Sequence, residues 1–97
     1  TVTGGFYCSK NNLASLFEGP TDVGDFDCSF NQLKNLSYAP KEVRGNFDCS
    51  NNQLTSLPKC MNLPNLQYFN CSTNNITNLP ENMIFPNLLY FNCSFNK

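Results

Sequence analysis

The cysteines are the residues of this chain whose type and spacing could do chemistry: six in 97 residues, in a sequence with no histidine. Cys8, Cys28, Cys49, Cys71 and Cys93 recur at intervals of 20, 21, 22 and 22 residues, and Cys60 falls outside that series. Periodic thiols suggest a disulfide ladder or a soft-metal site. Each of the five sits in a Phe-x-Cys alternation, the period-2 pattern of a short strand with Phe and Cys on one face. Equivalent thiols of adjacent strands then stand about 4.8 Å apart, within disulfide range, but their side chains run parallel instead of converging. Five is an odd number to pair, and a row of thiols is not a tetrahedron. No Cys-x-x-Cys occurs either. The expectation is a column of small buried hydrophobes. Unpaired thiols of this kind favour a reducing intracellular compartment or a virion-associated one. Cys60, on the path between strands, is expected to be the most accessible thiol.

Other chemistry is sparse. Without histidine the chain lacks the commonest general acid/base and metal ligand. No nucleophile–base pair and no phosphate-cradling glycine loop is evident, so the chain reads as no enzyme. Asp25, Asp27 and Asp48 form an acidic trio, too few ligands for a Ca²⁺ site. No metal and no cofactor is expected. The net charge is −1 and the six basic residues are scattered, which argues against nucleic acid as a partner. No apolar run approaches the roughly 20 residues of a membrane span.

The cysteines belong to a longer phrase, and the phrase sets the elements that position them. Phe6-x-Cys8-Ser9-x-Asn11 returns as Phe26 to Asn31, Phe47 to Asn52, Phe69 to Asn74 and Phe91 to Asn96. An apolar residue precedes each (Val2, Val23, Val43, Leu66, Leu88), and the first and third rungs carry one extra residue before Phe. Leu-x-x-Leu follows at Leu13 and Leu16, Leu33 and Leu36, Leu54 and Leu57, and Ile76 and Leu79. Pro20, Pro40, Pro58 and Pro80 then exclude a long helix on the return path, since an interior proline costs about 3 kcal/mol. A period of this size predicts stacked rungs, each contacting its neighbours.

Written as apolar-x-x-Phe-x-Cys-x-x-Asn-x-Leu-x-x-Leu, the unit closely resembles the leucine-rich repeat, over nearly the whole chain. Val23 to Leu33 and Leu66 to Ile76 match the family's eleven-residue signature at every defined position. Asn52 to Pro58 and Asn74 to Pro80 resemble its short bacterial and viral subclass. The resemblance implies a leucine-rich-repeat solenoid of the α/β horseshoe type with little or no helix. A parallel β-sheet would line its concave face, with extended or short-turn segments on the convex side. It also implies a protein-binding scaffold. One array over residues 1–97 is expected, about four and a half repeats, with strands near 5–9, 25–29, 46–50, 68–72 and 90–94. Its ends read as uncapped, as in a segment of a longer array.

Within each rung, three columns read as scaffold. Phe6, Phe26, Phe47, Phe69 and Phe91 predict an aromatic spine. Cys8, Cys28, Cys49, Cys71 and Cys93 fill the space beside it. Asn11, Asn31, Asn52, Asn74 and Asn96 predict a ladder that satisfies turning backbone. The remaining columns face outward: Gly5, Asp25, Asn46, Tyr68, Tyr90; then Tyr7, Asp27, Asp48, Asn70, Asn92; then the five serines; then Lys10, Phe30, Asn51, Thr73, Phe95. Two zones stand out as partner-binding: the acidic Asp25, Asp27 and Asp48, and the uncharged Tyr68, Asn70, Tyr90 and Asn92 with Phe95 at its edge. From Cys60 onward only Glu81 and Lys97 are charged. Asn35, Asn70, Asn75 and Asn92 begin Asn-x-Ser/Thr triplets, which the repeat itself generates wherever Asn precedes Cys-Ser, so glycosylation is a weak inference.

The functional expectation is a non-catalytic protein–protein interaction scaffold using the concave face. The alternatives are a structural or adhesive surface or virion component that self-associates end to end, and the recognition arm of an enzyme whose catalytic domain lies elsewhere. A Tyr68→Ala/Tyr90→Ala variant separates the first two, because only a scaffold would lose its partner.

Overall fold

A computed structural model describes residues 4–16, 21–58, 63–80 and 84–96. Val2, Pro20, Cys60, Glu81 and Lys97, which entered the reading above, lie outside the described residues. Seven short strands follow in chain order: β1 (Phe6–Tyr7), β2 (Asp22–Val23), β3 (Phe26–Asp27), β4 (Glu42–Val43), β5 (Asn46–Asp48), β6 (Tyr68–Asn70) and β7 (Tyr90–Asn92). No helix occurs among the described residues. Five strands form one parallel sheet in the order β1-β3-β5-β6-β7, so each rung pairs with the next along the chain. The pairing sets Phe on Phe: Phe6 beside Phe26, Phe26 beside Phe47, Phe47 beside Phe69 and Phe69 beside Phe91.

The strands span two or three residues instead of the five expected. Ladder hydrogen bonds nevertheless run past them. Cys28 N–H donates to Asp48 O, Phe30 N–H to Ser50 O, and Asn51 N–H to Ser72 O. The chain has already left the extended conformation there, because Lys10, Phe30, Asn51, Thr73 and Phe95 all have positive φ, between 54° and 58°. Each strand of the main sheet is therefore followed, three residues on, by a left-handed residue that bends the backbone into the return path.

A second, two-stranded parallel sheet pairs β2 with β4 on the approach to the main strands and was not expected. The extra residue of the third rung is accounted for nearby. Gly24 O accepts both Arg44 N–H (3.0 Å) and Gly45 N–H (2.7 Å), a bulge that absorbs Arg44 without shifting Asn46 or Phe47. The bulged Arg44 side chain forms an ion pair with Asp22 of the preceding rung.

The core is one continuous column. Phe26, Phe47 and Phe69 are at most 1% exposed, flanked by Val23, Val43, Leu66, Leu33 and Leu54. Phe47 and Phe69 stack at 5.0 Å, whereas Phe26 and Phe47 meet edge to face at 5.2 Å. Phe6 and Phe91, in the first and last rungs, are only half-buried. Cys28, Cys49 and Cys71 are fully buried and all three are free thiols. Cys93 departs from that pattern and is exposed, since no described rung packs over its far side. Leu79 departs from its column for the same reason. It is 45% exposed where Leu36 and Leu57 are buried.

The asparagine column crosslinks successive rungs. Asn52 donates through Nδ2 to Cys49 O and Ser50 O of its own turn and to Cys28 O of the preceding rung, at 3.0–3.2 Å. Its Oδ1 accepts Leu33 N–H at 3.0 Å. Asn31, Asn74 and Asn96 repeat the arrangement, and Asn11 keeps the contacts within its own turn. Among the described residues no buried side-chain nitrogen or oxygen is left without a partner.

Candidate partner-binding face

Strand alternation puts Phe and Cys in the core, so the residues between them face out on the opposite side of the sheet. The register aligns Asp27 with Asp48, Asp48 with Asn70, and Asn70 with Asn92. It likewise aligns Asn46 with Tyr68, and Tyr68 with Tyr90. Tyr68 and Tyr90 are 43% and 51% exposed, with rings 6.3 Å apart and tilted by 46°. The sheet thus brings together the two zones singled out from sequence, one rung apart.

The three central serines do not belong to this face, whereas Ser94 of the last rung is exposed. Ser29 and Ser50 are each 4% exposed and Ser72 is 9% exposed, which corrects their outward assignment. Their burial follows from the residue two positions earlier. Asp27 Oδ1 accepts both the Ser29 N–H (3.0 Å) and the Ser29 hydroxyl (2.6 Å), and Asp48 does the same for Ser50. Asn92 Oδ1 holds Ser94 in that way, and Asn70 Oδ1 accepts the Ser72 N–H. Aspartate and asparagine are interchangeable here because the turn asks only for an oxygen acceptor. Sequence reading took this column as exposed polar variation and missed its local task. The signal was the recurrent Asp/Asn-Cys-Ser triplet.

Asp25 is committed differently. Its Oδ1 accepts Asn46 N–H at 2.8 Å and its Oδ2 accepts the Tyr7 hydroxyl at 3.2 Å. That hydrogen bond, then the Asp25 charge, raises the Tyr7 phenol above its ordinary pKa. The side chain of Asp25 lies over Gly45, where a Cβ would come within 2.1 Å of Asp25 Oδ1. Among the described residues no cluster of three His, Cys, Asp or Glu is arranged to hold a metal ion. The core thiols are poor nucleophiles. Burial pushes Cys71 up to about 12 and raises Cys28 and Cys49 well above the ordinary thiol range, with the neighbouring thiols adding to it.

Phe95 is 82% exposed and Phe30 is 51% exposed, both in the left-handed column that follows each strand. Lys10 reaches back over the Phe30 ring, 5.7 Å from its centroid.

Residues 46–82 match the family model described as leucine rich repeats, in two copies. These are leucine-rich repeats. The matched stretch holds the strands, buried Phe and bridging Asn of the third and fourth rungs, and the same Phe-x-Cys-Ser-x-Asn phrase recurs on either side of it. No curated protein and no solved structure was found to match the chain. Leucine-rich repeats generally mediate protein–protein interaction, and their solenoid is typically a non-catalytic scaffold. No helix among the described residues is long and apolar enough to cross a membrane.

Proposed function

We propose that this array is a non-catalytic scaffold that captures a protein partner on its outward strand face, anchored by Tyr68 and Tyr90. One observation carries the reading: two half-exposed tyrosines are aligned across β6 and β7, with their rings in contact range of one another. They lie where residues 63–80 and 84–96 contain no charged side chain at all. Uncharged rings flanked by Asn70 and Asn92 offer large apolar area, hydrogen bonding and little entropy to lose, the features of interface hot spots.

Affinity capture with the Tyr68→Ala/Tyr90→Ala variant tests it. Partner capture should be lost while the unfolding free energy from urea denaturation stays within about 0.5 kcal/mol of the parent, as for surface substitutions. Unimpaired capture by a folded double variant would sink the reading. Assembly through the edges of the sheet, the competing reading, predicts instead a mass that rises with concentration and ignores both tyrosines.

A further inference from the structure

The row Asp27, Asp48, Asn70 and Asn92 crosses four adjacent strands in register. Each side chain spends one oxygen on the serine two residues later. Among the described residues, the second terminal atom of each has no hydrogen-bond partner. The identity of that atom follows from chemistry. A backbone N–H can only donate, so the amide oxygens of Asn70 and Asn92 must face the serines, and their NH₂ groups are the ends left over. The row therefore offers acceptor, acceptor, donor, donor, at steps of about 4.8 Å and over about 14 Å. Its ends are held in place before any partner arrives, which lowers the ordering cost of binding.

Relief and charge follow the same division. Along the neighbouring column the residues grow from Gly5 through Asp25 and Asn46 to Tyr68 and Tyr90. Beside it Gly24 and Gly45 give way to Gln67 and Leu89, and Leu89 is 72% exposed. Tyr68, Tyr90 and Leu89 raise the aromatic half, whereas in the acidic half the Tyr7 ring lies over Gly5 and the Asp25 carboxylate over Gly45. Two cations of these rungs are already engaged, Arg44 with Asp22 and Lys10 over Phe30.

We infer that the partner segment is an extended peptide running across the strands, with a basic side chain over Asp27 and Asp48, carbonyl groups at Asn70 and Asn92, and an apolar or aromatic residue against Tyr68 and Tyr90. The inference rests on the strand-face reading and adds the partner's chemistry and direction. Charge complementarity selects this occupant, because an acidic or uniformly apolar segment would leave two carboxylates facing no donor.

The test is selection of a random heptapeptide display library on the full chain and on two variants. Asp27→Asn/Asp48→Asn keeps the turn acceptor, since asparagine already fills the same place in the last two rungs, and a melt verifies the fold. The parent should enrich peptides with Lys or Arg at one end and an aromatic or large apolar residue at the other. Their affinity should fall roughly three- to tenfold in Asp27→Asn/Asp48→Asn and lose its salt dependence. Asn70→Asp/Asn92→Asp should extend the basic preference to the second end. Peptides that lose binding with Tyr68→Ala/Tyr90→Ala yet ignore both charge changes would overturn the inference and leave the docking face intact. Failure to enrich any peptide over the Tyr68→Ala/Tyr90→Ala protein would overturn both.

Discussion

At the scale of single residues, Asn52 shows how one side chain can hold two rungs. It is 8% exposed, donates to three carbonyls and accepts one amide hydrogen, and two of those partners belong to the preceding rung. Asn52→Ala strands Leu33 N–H in the interior and leaves Cys28 O with Asn31 Nδ2 alone, at a cost of about 1–3 kcal/mol for the unsatisfied amide. Asn52→Asp should cost more, because a carboxylate would face three carbonyl oxygens with no hydrogen to give them. Urea denaturation of both variants checks the order, and an Asp variant as stable as the parent contradicts the donor assignment. This column was legible in the sequence because its chemistry is forced: a turning backbone inside a stack leaves polar groups that a short amide can reach. The Asp/Asn column beside it was only half legible. That Asp27 and Asn92 face outward follows from strand alternation, but their inward-turned Oδ1 follows from a local hydrogen bond to Ser that alternation does not encode.

At the scale of the element, the strand and its exit are set by different rules. Phe-x-Cys gives a strand, and alternation located all five. It overestimated their length, because from the second rung on the serine N–H goes to the Asp or Asn side chain two residues earlier, and the next residue turns left-handed. That conformation costs a residue with a Cβ roughly 1–2 kcal/mol, with asparagine among the types that tolerate it best. Only Asn51 in this column is such a type; Thr73, β-branched, is the worst suited at φ 55°. Thr73→Asn is therefore expected to raise stability by up to about 1 kcal/mol, and Asn51→Val to lower it by about 1–2 kcal/mol. Thermal melts of the two single variants decide this, and a stabilising Asn51→Val would mean that the turn is not carried by that residue. The bulge at Arg44 was visible as an extra letter, but its use was not. Only the folded chain shows that the added residue reaches Asp22.

At the scale of the whole molecule, the fold is a line of rungs and its stability should behave as one. Hydrogen bonds, ring contacts and Asn bridges all connect a rung to its immediate neighbours, the arrangement in which local terms and nearest-neighbour interfaces add. The buried thiols give this a pH signature. Cys28, Cys49 and Cys71 hold their protons more tightly folded than unfolded, so the native state binds more protons above the ordinary thiol range. Their contribution is whole below about pH 8.5 and is lost as pH climbs beyond it. The urea midpoint should thus fall between pH 8 and 10, and less steeply in Cys49→Ala; equal slopes would refute the thiol origin. The line of rungs also predicts where damage spreads. Phe47 lies at the centre, fully buried between Phe26 and Phe69, and Phe47→Ala removes a ring worth about 3–5 kcal/mol. Phe91 is half-buried and meets only Phe69 among the described rings, so Phe91→Ala should cost about half as much. Amide exchange separates a solenoid from a single cooperative globule. Phe91→Ala should speed exchange at residues 90–96 and leave Cys28 and Cys49 protected, whereas Phe47→Ala should weaken protection on both sides of the third rung. Uniform loss of protection in the Phe91 variant would show that the rungs unfold as one unit and would overturn the additive description.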